Sequence, residues 1–274
     1  MGGKVPLDRA KYPYFMGNLA IGSHVGGDDP IAKAKELGLD HIQIFLADPQ
    51  GWKGSIFPHA DGAAGLKASS EAANIGIYVH ARYIINVATT NNKVRIPSRK
   101  LLQTDVDAAA AVGAKAVIVH GGHVIDGDDP QAGIDNWVKA LAQLDMKVPV
   151  LIENTAGGKN SMARRLESIK GLWGAVGDTG VGFCLDTCHA HAGGLDMGAL
   201  ADTILGITGR IDLIHCNDSQ GSFDSGVDRH ANLGEGSIGM DNIINCLKTA
   251  KAPIVLETPF EGVAADLDLL RTSL

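Results

Sequence analysis

Eight apolar runs recur along this chain, and most of them stop on a residue able to hold a metal. They are LAIGSH (19–24), HIQIFL (41–46), GIYVHA (76–81), AKAVIVH (114–120), VPVLIE (148–153), VGFCLD (181–186), IDLIHC (211–216) and APIVLE (252–257). His80, His120, Glu153, Asp186, His215 and Glu257 lie at or beside their C-terminal ends. Runs this uniformly apolar suit strands buried on both faces, as in a parallel sheet. Side chains at the ends of different strands converge only if the strands run parallel with the same ends together. A closed parallel barrel meets that condition.

Helix-like stretches separate the runs. DDPIAKAKELG (28–38) has an acidic start, a proline in its first turn and a closing glycine. LLQTDVDAAAAVG (101–113) and DNWVKALAQLD (135–145) follow the helical period. SMARRLESIKGLWGAVG (161–177) and MGALADTILGITG (197–209) do so with interior glycines that weaken a helix. Strands alternating with helices predict an α/β fold, a single (β/α)8 TIM barrel over residues 18–274, with an N-terminal extension over residues 1–17. The 274 residues match the ~250 typical of one such barrel. No dinucleotide fingerprint or P-loop follows any strand.

Composition narrows the function. With 24 basic and 31 acidic residues the formal charge is −7, which argues against a non-specific, charge-driven nucleic-acid binder. It leaves room for a local grip on DNA, because bound divalent cations would offset carboxylates in a site. The four cysteines form no C-x-x-C pair and read as reduced thiols of a cytosolic protein. The N-terminus has no apolar signal region, and no run approaches the ~18 apolar residues of a membrane span.

Three further residues extend the metal-binding set. His189 follows Asp186 at i+3, where a turn of the chain brings the two together. Asp228 and His230, at i and i+2, share one face of an extended segment. Carboxylates at a barrel mouth need a compensating cation, and Arg229 is the one basic neighbour of these acids in sequence. Nitrogen and carboxylate donors suit zinc and manganese. Zinc takes ~4 ligands, so nine candidates exceed one ion and serve two or three if a glutamate bridges. Such clusters hydrolyse phosphate esters.

The runs VHARYIIN, VIVHGGHV, LIENTAGG, FCLDTCHAHAGG, HCNDS, VDRHANLGEGSIG and IVLET resemble the endonuclease IV family of zinc-dependent apurinic/apyrimidinic endonucleases, xylose-isomerase-like TIM barrels. The resemblance runs from Gly22 to Thr258. It implies three Zn2+ ions, with Mn2+ accepted at one site. His80, His120 and Glu153 would hold the first, and Glu153, Asp186, His215 and Glu257 the second, with Glu153 bridging as the catalytic residue. His189, Asp228 and His230 would hold the third. The implied activity is DNA repair: hydrolysis of the phosphodiester 5′ to an abasic site in duplex DNA, leaving a 3′-hydroxyl and a 5′-deoxyribose phosphate. Blocked 3′ ends are a further implied substrate. The implied state is a monomeric cytoplasmic protein, nucleoid-associated when on DNA.

The resemblance also implies DNA contacts at Trp52, Tyr83, Ile84 and Arg229. Tyr83 and Ile84 would wedge the minor groove, although a rim aromatic packed on the barrel is the simpler role. Arg229 would meet phosphate or pair with a carboxylate. Lys93, Arg95, Arg99 and Lys100 would track the DNA backbone or line a solvated helix start. NLGEGSIG (232–239) would offer backbone N–H groups to phosphate. Asn154 would orient Glu153, and His123 and His191 are expected to stay outside the ligand set. One stretch departs from the family pattern Asn-Pro-Arg-x-Trp: here it is Asp48-Pro49-Gln50-Gly51-Trp52. That change bears on the DNA grip and leaves the metals untouched. The alternative function is a metal-dependent sugar isomerase or epimerase on the same fold, which has no need of five histidines around its metals.

Overall fold

A computed structural model of the chain describes residues 19–274, and the extension expected over residues 1–17 lies outside the described residues. Ten strands occur among them: β1 (Ile21–His24), β2 (His41–Ile44), β3 (Gly76–His80), β4 (Ala116–His120), β5 (Val150–Glu153), β6 (Gly182–Asp186), β7 (Leu213–His215), β8 (Asp218–Ser219), β9 (His230–Ala231) and β10 (Ile254–Leu256). Eight of these close into a barrel in the order β1-β10-β7-β6-β5-β4-β3-β2. Every barrel pair is parallel. β8 and β9 form a short antiparallel ribbon above the barrel's C-terminal rim.

The paired strands are shorter than the apolar runs that announce them. IDLIHC pairs only over Leu213–His215, and APIVLE only over Ile254–Leu256. Ala81 and Cys216 are buried just past the last strand residue, and each still donates its N–H across the barrel, Ala81 to the Ile118 carbonyl and Cys216 to the Val255 carbonyl, both at 2.8 Å.

The pleat decides which residues face the barrel axis. A compact cluster of Tyr78, Ala116, Ile118, Leu151, Cys184, Leu213 and Val255 fills the barrel interior. Side chains alternate along a strand, so the residue two positions after an interior one points inward again. Tyr78, Ile118, Leu151, Cys184, Leu213 and Val255 thus commit His80, His120, Glu153, Asp186, His215 and Glu257 to the mouth of the same cavity. The first five are the last residues of β3, β4, β5, β6 and β7, and Glu257 follows β10 directly. On β2 the same alternation turns His41 and Gln43 inward, both fully buried. The neighbouring strand makes room for His41 with Gly22, where any side-chain carbon would collide with the His41 ring.

Outside the sheet lie α1 (Pro30–Leu37), α2 (Gly62–Ala73), α3 (Asn92–Ala111), α4 (Pro130–Leu141), α5 (Leu166–Val176), α6 (Thr187–Ala192), α7 (Leu200–Thr208), α8 (Met240–Ala250) and α9 (Val263–Ser273). Asp29 caps α1 by accepting the Ala32 N–H, and Gly38 closes it at φ 64°. Asp129 caps α4 in the same way, ahead of Pro130. α3 begins at Asn92, well before the expected start, because Asn91 accepts the Lys93 N–H and caps it. α5 begins later than its periodicity suggests. Residues before it are tied across to other loops, Met162 N–H to the Gly122 carbonyl and Thr155 N–H to the Ala163 carbonyl. Among the described residues no helix is long and apolar enough to cross a membrane.

Candidate metal centre

Each element delivers its side chain by a local rule. The register sets His120 beside Glu153 on β4 and β5, and Asp186 beside His215 on β6 and β7. Asp186 is also the N-cap of α6, its carboxylate accepting the His189 N–H at 2.6 Å. That cap turns the i+3 residue back over the mouth. Asp228, in the loop before β9, and His230, which opens β9, arrive from above.

The nine expected residues fall into three groups whose ligand atoms lie within 4.8 Å of one another: His80, His120 and Glu153; Glu153, Asp186, His215 and Glu257; His189, Asp228 and His230. Within them the donor spacings are regular. His80 Nε2 and His120 Nε2 lie 3.3 and 3.4 Å from the same Glu153 oxygen. His189 Nε2 and His230 Nε2 lie 3.1 and 3.4 Å from one Asp228 oxygen. His215 Nδ1 is 2.9 Å from Glu153 Oε1 and 3.1 Å from Glu257 Oε2. A tetrahedral zinc with bonds of about 2.0–2.1 Å holds its donor atoms about 3.3–3.4 Å apart. The separations of 3.3 and 3.4 Å match the edges of such a tetrahedron, and those of 2.9 and 3.1 Å are shorter.

The imidazole tautomers point the same way. His80 Nδ1 lies 2.6 Å from the Ala81 carbonyl, His189 Nδ1 2.9 Å from that of Asn154, and His230 Nδ1 3.1 Å from that of Glu257. A carbonyl only accepts, so each of these nitrogens carries the ring proton. In the neutral ring the other nitrogen then turns a lone pair toward a carboxylate oxygen. That is repulsive unless the ring takes up a second proton or a metal cation sits between them. His230 Nε2 is buried and has no hydrogen-bond partner. Tying the outer ring nitrogen to a carbonyl is also how proteins orient metal-binding histidines. The donor set therefore fits zinc.

Charge balance gives a second measure of the same demand. The ion-pair partners of Glu153, Asp186, Asp228 and Glu257 are imidazoles. Burial opposes a charged His230, yet Asp228 and Asp186 raise it to about 9. Burial likewise opposes charge on His189 and His215. Asp186, Asp228 and Glu153 hold the first well above the ordinary imidazole value, and the Cys184, Glu257 and Glu153 groups hold up the second. Positive charge is thus drawn to the second and third groups, whereas burial lowers His120 of the first to about 4. Cys188 also lies within reach of Asp186 and His230. Burial, reinforced by Asp186, pushes its thiol up to about 12, so it stays protonated and is a poor ligand.

The rim differs from expectation at several positions. Tyr83 and Trp52 are half-exposed, and the Tyr83 ring stacks on His120 at 5.8 Å and 13°. Ile84 is partly buried and packs against the core, so it backs the loop instead of standing free beside Tyr83. Arg229 is exposed and takes no ion pair with a carboxylate among the described residues. Arg95 donates to the Thr89 and Thr90 carbonyls and Arg99 to the Asn136 carbonyl, so both guanidinium groups are partly engaged by the fold. The glycine-rich 232–239 loop turns the Gly234, Gly236 and Ile238 N–H groups inward onto the buried Asp218 carboxylate, so they are not free for phosphate. Asn154 orients Asp186 and His189, not Glu153: its amide bridges the Asp186 backbone and its carbonyl takes the His189 proton. His123 bonds to Asn86 and His191 to Ser237, both outside the ligand groups.

Sequence reasoning passed over a supporting layer. Gln43 joins His215 to Glu257, Asn217 donates to Asp186 Oδ2 at 2.7 Å, and Arg82 is buried in an ion pair with Asp105 at 3.1 Å. Arg82 also donates to the Lys53 carbonyl, and the Tyr83 N–H donates to the Pro49 carbonyl at 2.9 Å. These bonds lock the 48–53 loop to the Tyr83 loop. The available signal was polarity inside apolar runs: Gln43 interrupts HIQIFL at an inward position.

Comparison with known proteins places this geometry. The family model described as xylose isomerase-like TIM barrel matches residues 31–273. Probable endonuclease 4 of Mycobacterium ulcerans is 53% identical over 256 residues, 93% of this chain and 99% of that protein. That of Mycobacterium tuberculosis is 53% identical over 253 residues, 92% and 98% of the two chains. The crystal structure of endonuclease IV from Thermus thermophilus superposes with a TM-score of 0.80 at 30% identity, covering 93% of this chain and 98% of that one. A D-tagatose 3-epimerase-like protein superposes at 0.77 with 17% identity, which reflects the shared fold alone. By sequence, by fold and by the residues gathered at its mouth, the chain belongs to the endonuclease IV family of xylose isomerase-like TIM barrels.

Proposed function

We propose that this protein is a DNA-repair endonuclease that hydrolyses the phosphodiester 5′ to abasic sites in duplex DNA, with three zinc ions held by the nine residues of the mouth. The observation that carries the reading is the third group, His189, Asp228 and His230, standing beside two others that share Glu153. An isomerase needs one or two ions, whereas in-line displacement at phosphorus benefits from cations on both the attacking and the leaving oxygen. The relatives' name, endonuclease 4, supports the same substrate class. Their 53% identity, against 17% for the epimerase-like protein, leaves the sugar-isomerase alternative without an observation in its favour.

When bound, the zinc ions would supply an activated water at neutral pH and neutralise charge on the phosphate. The chain's own residues set the stage for that chemistry. Glu153 presents one oxygen to His80 and His120 and the other to His215, so a single buried carboxylate spans two groups. Asp228, with its side chain 54% exposed, opens the third group to the solvent side where a DNA strand would approach. Cys184 and Cys188 are poor nucleophiles, because burial pushes their thiols up to about 12. Trp52 and Tyr83, held by the locked loops, offer apolar faces on which bases next to a gap can stack. Arg229 is free to meet phosphate.

The test is incubation of the purified protein with duplex DNA carrying one abasic site, with and without a strong zinc chelator. A single incision 5′ to the lesion that yields a 3′-hydroxyl, and that prolonged chelation abolishes, is the expected result. Cleavage that strictly requires added magnesium and ignores zinc chelation would overturn the assignment.

A further inference from the structure

We propose that Gln43 is a positioning residue that fixes the second metal group by holding the His215 ring and the Glu257 carboxylate at once. This rests on the metal centre proposed above. Gln43 is fully buried on β2, while His215 ends β7 and Glu257 follows β10. In the closed barrel β1 and β10 lie between β2 and β7. The side chain therefore crosses the floor of the mouth, beneath the ligands.

Its two amide atoms do different work. Gln43 Oε1 is 2.7 Å from His215 Nε2. An amide oxygen only accepts, so Nε2 carries the His215 proton and Nδ1 is left with a lone pair. Nδ1 is the atom that faces Glu153, Glu257 and Asp186 at 2.9, 3.1 and 4.0 Å. The Gln43 amide nitrogen donates to Glu257 Oε1 at 2.6 Å and lies 3.3 Å from His24 Nδ1. That contact occupies one Glu257 oxygen and leaves Oε2 directed toward His215 Nδ1. The reverse amide orientation would set N–H against N–H and oxygen against carboxylate, so the network admits one orientation. Glutamate keeps the acceptor and loses the donor, methionine loses both, and asparagine is one carbon short. Barrel packing does not call for an amide in the run HIQIFL, and burying one costs free energy unless both ends are bonded.

The experiment compares zinc-loaded wild-type protein with Gln43→Met and Gln43→Glu. Zinc content is measured by mass spectrometry, release into excess chromogenic chelator by stopped flow, and folding by circular dichroism. Three zincs are expected in the wild type. In each variant one of the three should leave at least about tenfold faster while the other two keep their rates, the range typical of lost partners to metal-binding histidines. A folded Gln43→Met protein that releases all three at wild-type rates overturns the proposal. Should neither variant fold, the wild type decides it, with 113Cd in place of zinc and 15N-labelled histidine. Cadmium coupling at His215 Nδ1 and a proton on Nε2 support the role, and the opposite pattern refutes it. A wild-type protein holding fewer than three zincs refutes the metal centre itself, and that failure is visible in the wild-type arm alone.

Discussion

His41 should make this barrel acid-sensitive by a calculable amount. The residue is fully buried on β2, with Nε2 2.8 Å from the Ile254 carbonyl and Nδ1 without any partner. Burial, aided by the nearby Lys115 charge and only partly offset by the Ile254 carbonyl and Asp40, lowers its pKa from 6.5 to about 4. The folded protein thus holds His41 neutral where the unfolded chain protonates it. Between those two values the unfolded state binds more protons, so stability falls as the pH falls. The contribution is fully present above pH 6.5, erodes through the interval and is exhausted below about pH 4. Between pH 7.5 and pH 5.0 the loss from this one group is about 2 kcal/mol. For a chain of this size that corresponds to about 4–6 °C in melting temperature. His41→Gln removes the titration while keeping a donor for the Ile254 carbonyl. The assay is thermal unfolding of both proteins at both pH values, and the quantity read is the difference of differences. Groups common to the two proteins, the metal ligands included, cancel. The wild-type protein should lose about 2 kcal/mol more than the variant on acidification; equal losses would refute the argument.

Other perturbations test the site and the rim. Glu153→Gln keeps the volume of a fully buried side chain but leaves only one oxygen for two metal groups. Single-turnover cleavage should fall by about 10³-fold or more, near 4 kcal/mol, in a protein with unchanged circular dichroism, and near-normal cleavage would contradict the bridging role. Asp48 is exposed and accepts the Gln50 N–H in its own turn, a bond asparagine can also make. Asp48→Asn with Gln50→Arg should therefore leave the loop intact and tighten binding to abasic duplex by about 1–2 kcal/mol at low salt, less as salt rises. A titration at two ionic strengths that shows no gain would remove this loop from the DNA interface. Tyr83→Ala should raise KM more than it lowers kcat, because the ring stacks on a ligand and contributes a stacking face without touching the reacting phosphate; a pure kcat effect would show that its role is to steady His120.

The barrel was legible because continuous apolar runs alternate with helical stretches, and the six candidate ligands at strand ends because each closes such a run. Once Tyr78, Ile118, Leu151, Cys184, Leu213 and Val255 pack inside, the residues two positions on have one direction to point. His189 was legible through its i+3 spacing from Asp186, although the sequence alone does not reveal that Asp186 caps α6 and so enforces the turn. What escaped depends on contacts between distant loops. The pairing of Arg82 with Asp105 and the capture of the glycine-rich loop by Asp218 join residues with no local pattern to link them. Arg95 and Arg99 look like free cations in sequence, and only the fold supplies the carbonyls that occupy them. Strand ends were overestimated by about a residue: Ala81 and Cys216 are covered and each donates one N–H to the neighbouring barrel strand, but neither lies within a strand.

The central claim is that three metal ions share the nine side chains at the barrel mouth. It is tested most directly by an anomalous-difference map from crystals of the purified protein, with data collected on either side of the zinc absorption edge. Three peaks are predicted: one among His80, His120 and Glu153, a second among Glu153, Asp186, His215 and Glu257, and a third among His189, Asp228 and His230. A single peak held by the carboxylates, with His189 and His230 left unliganded, would contradict the account.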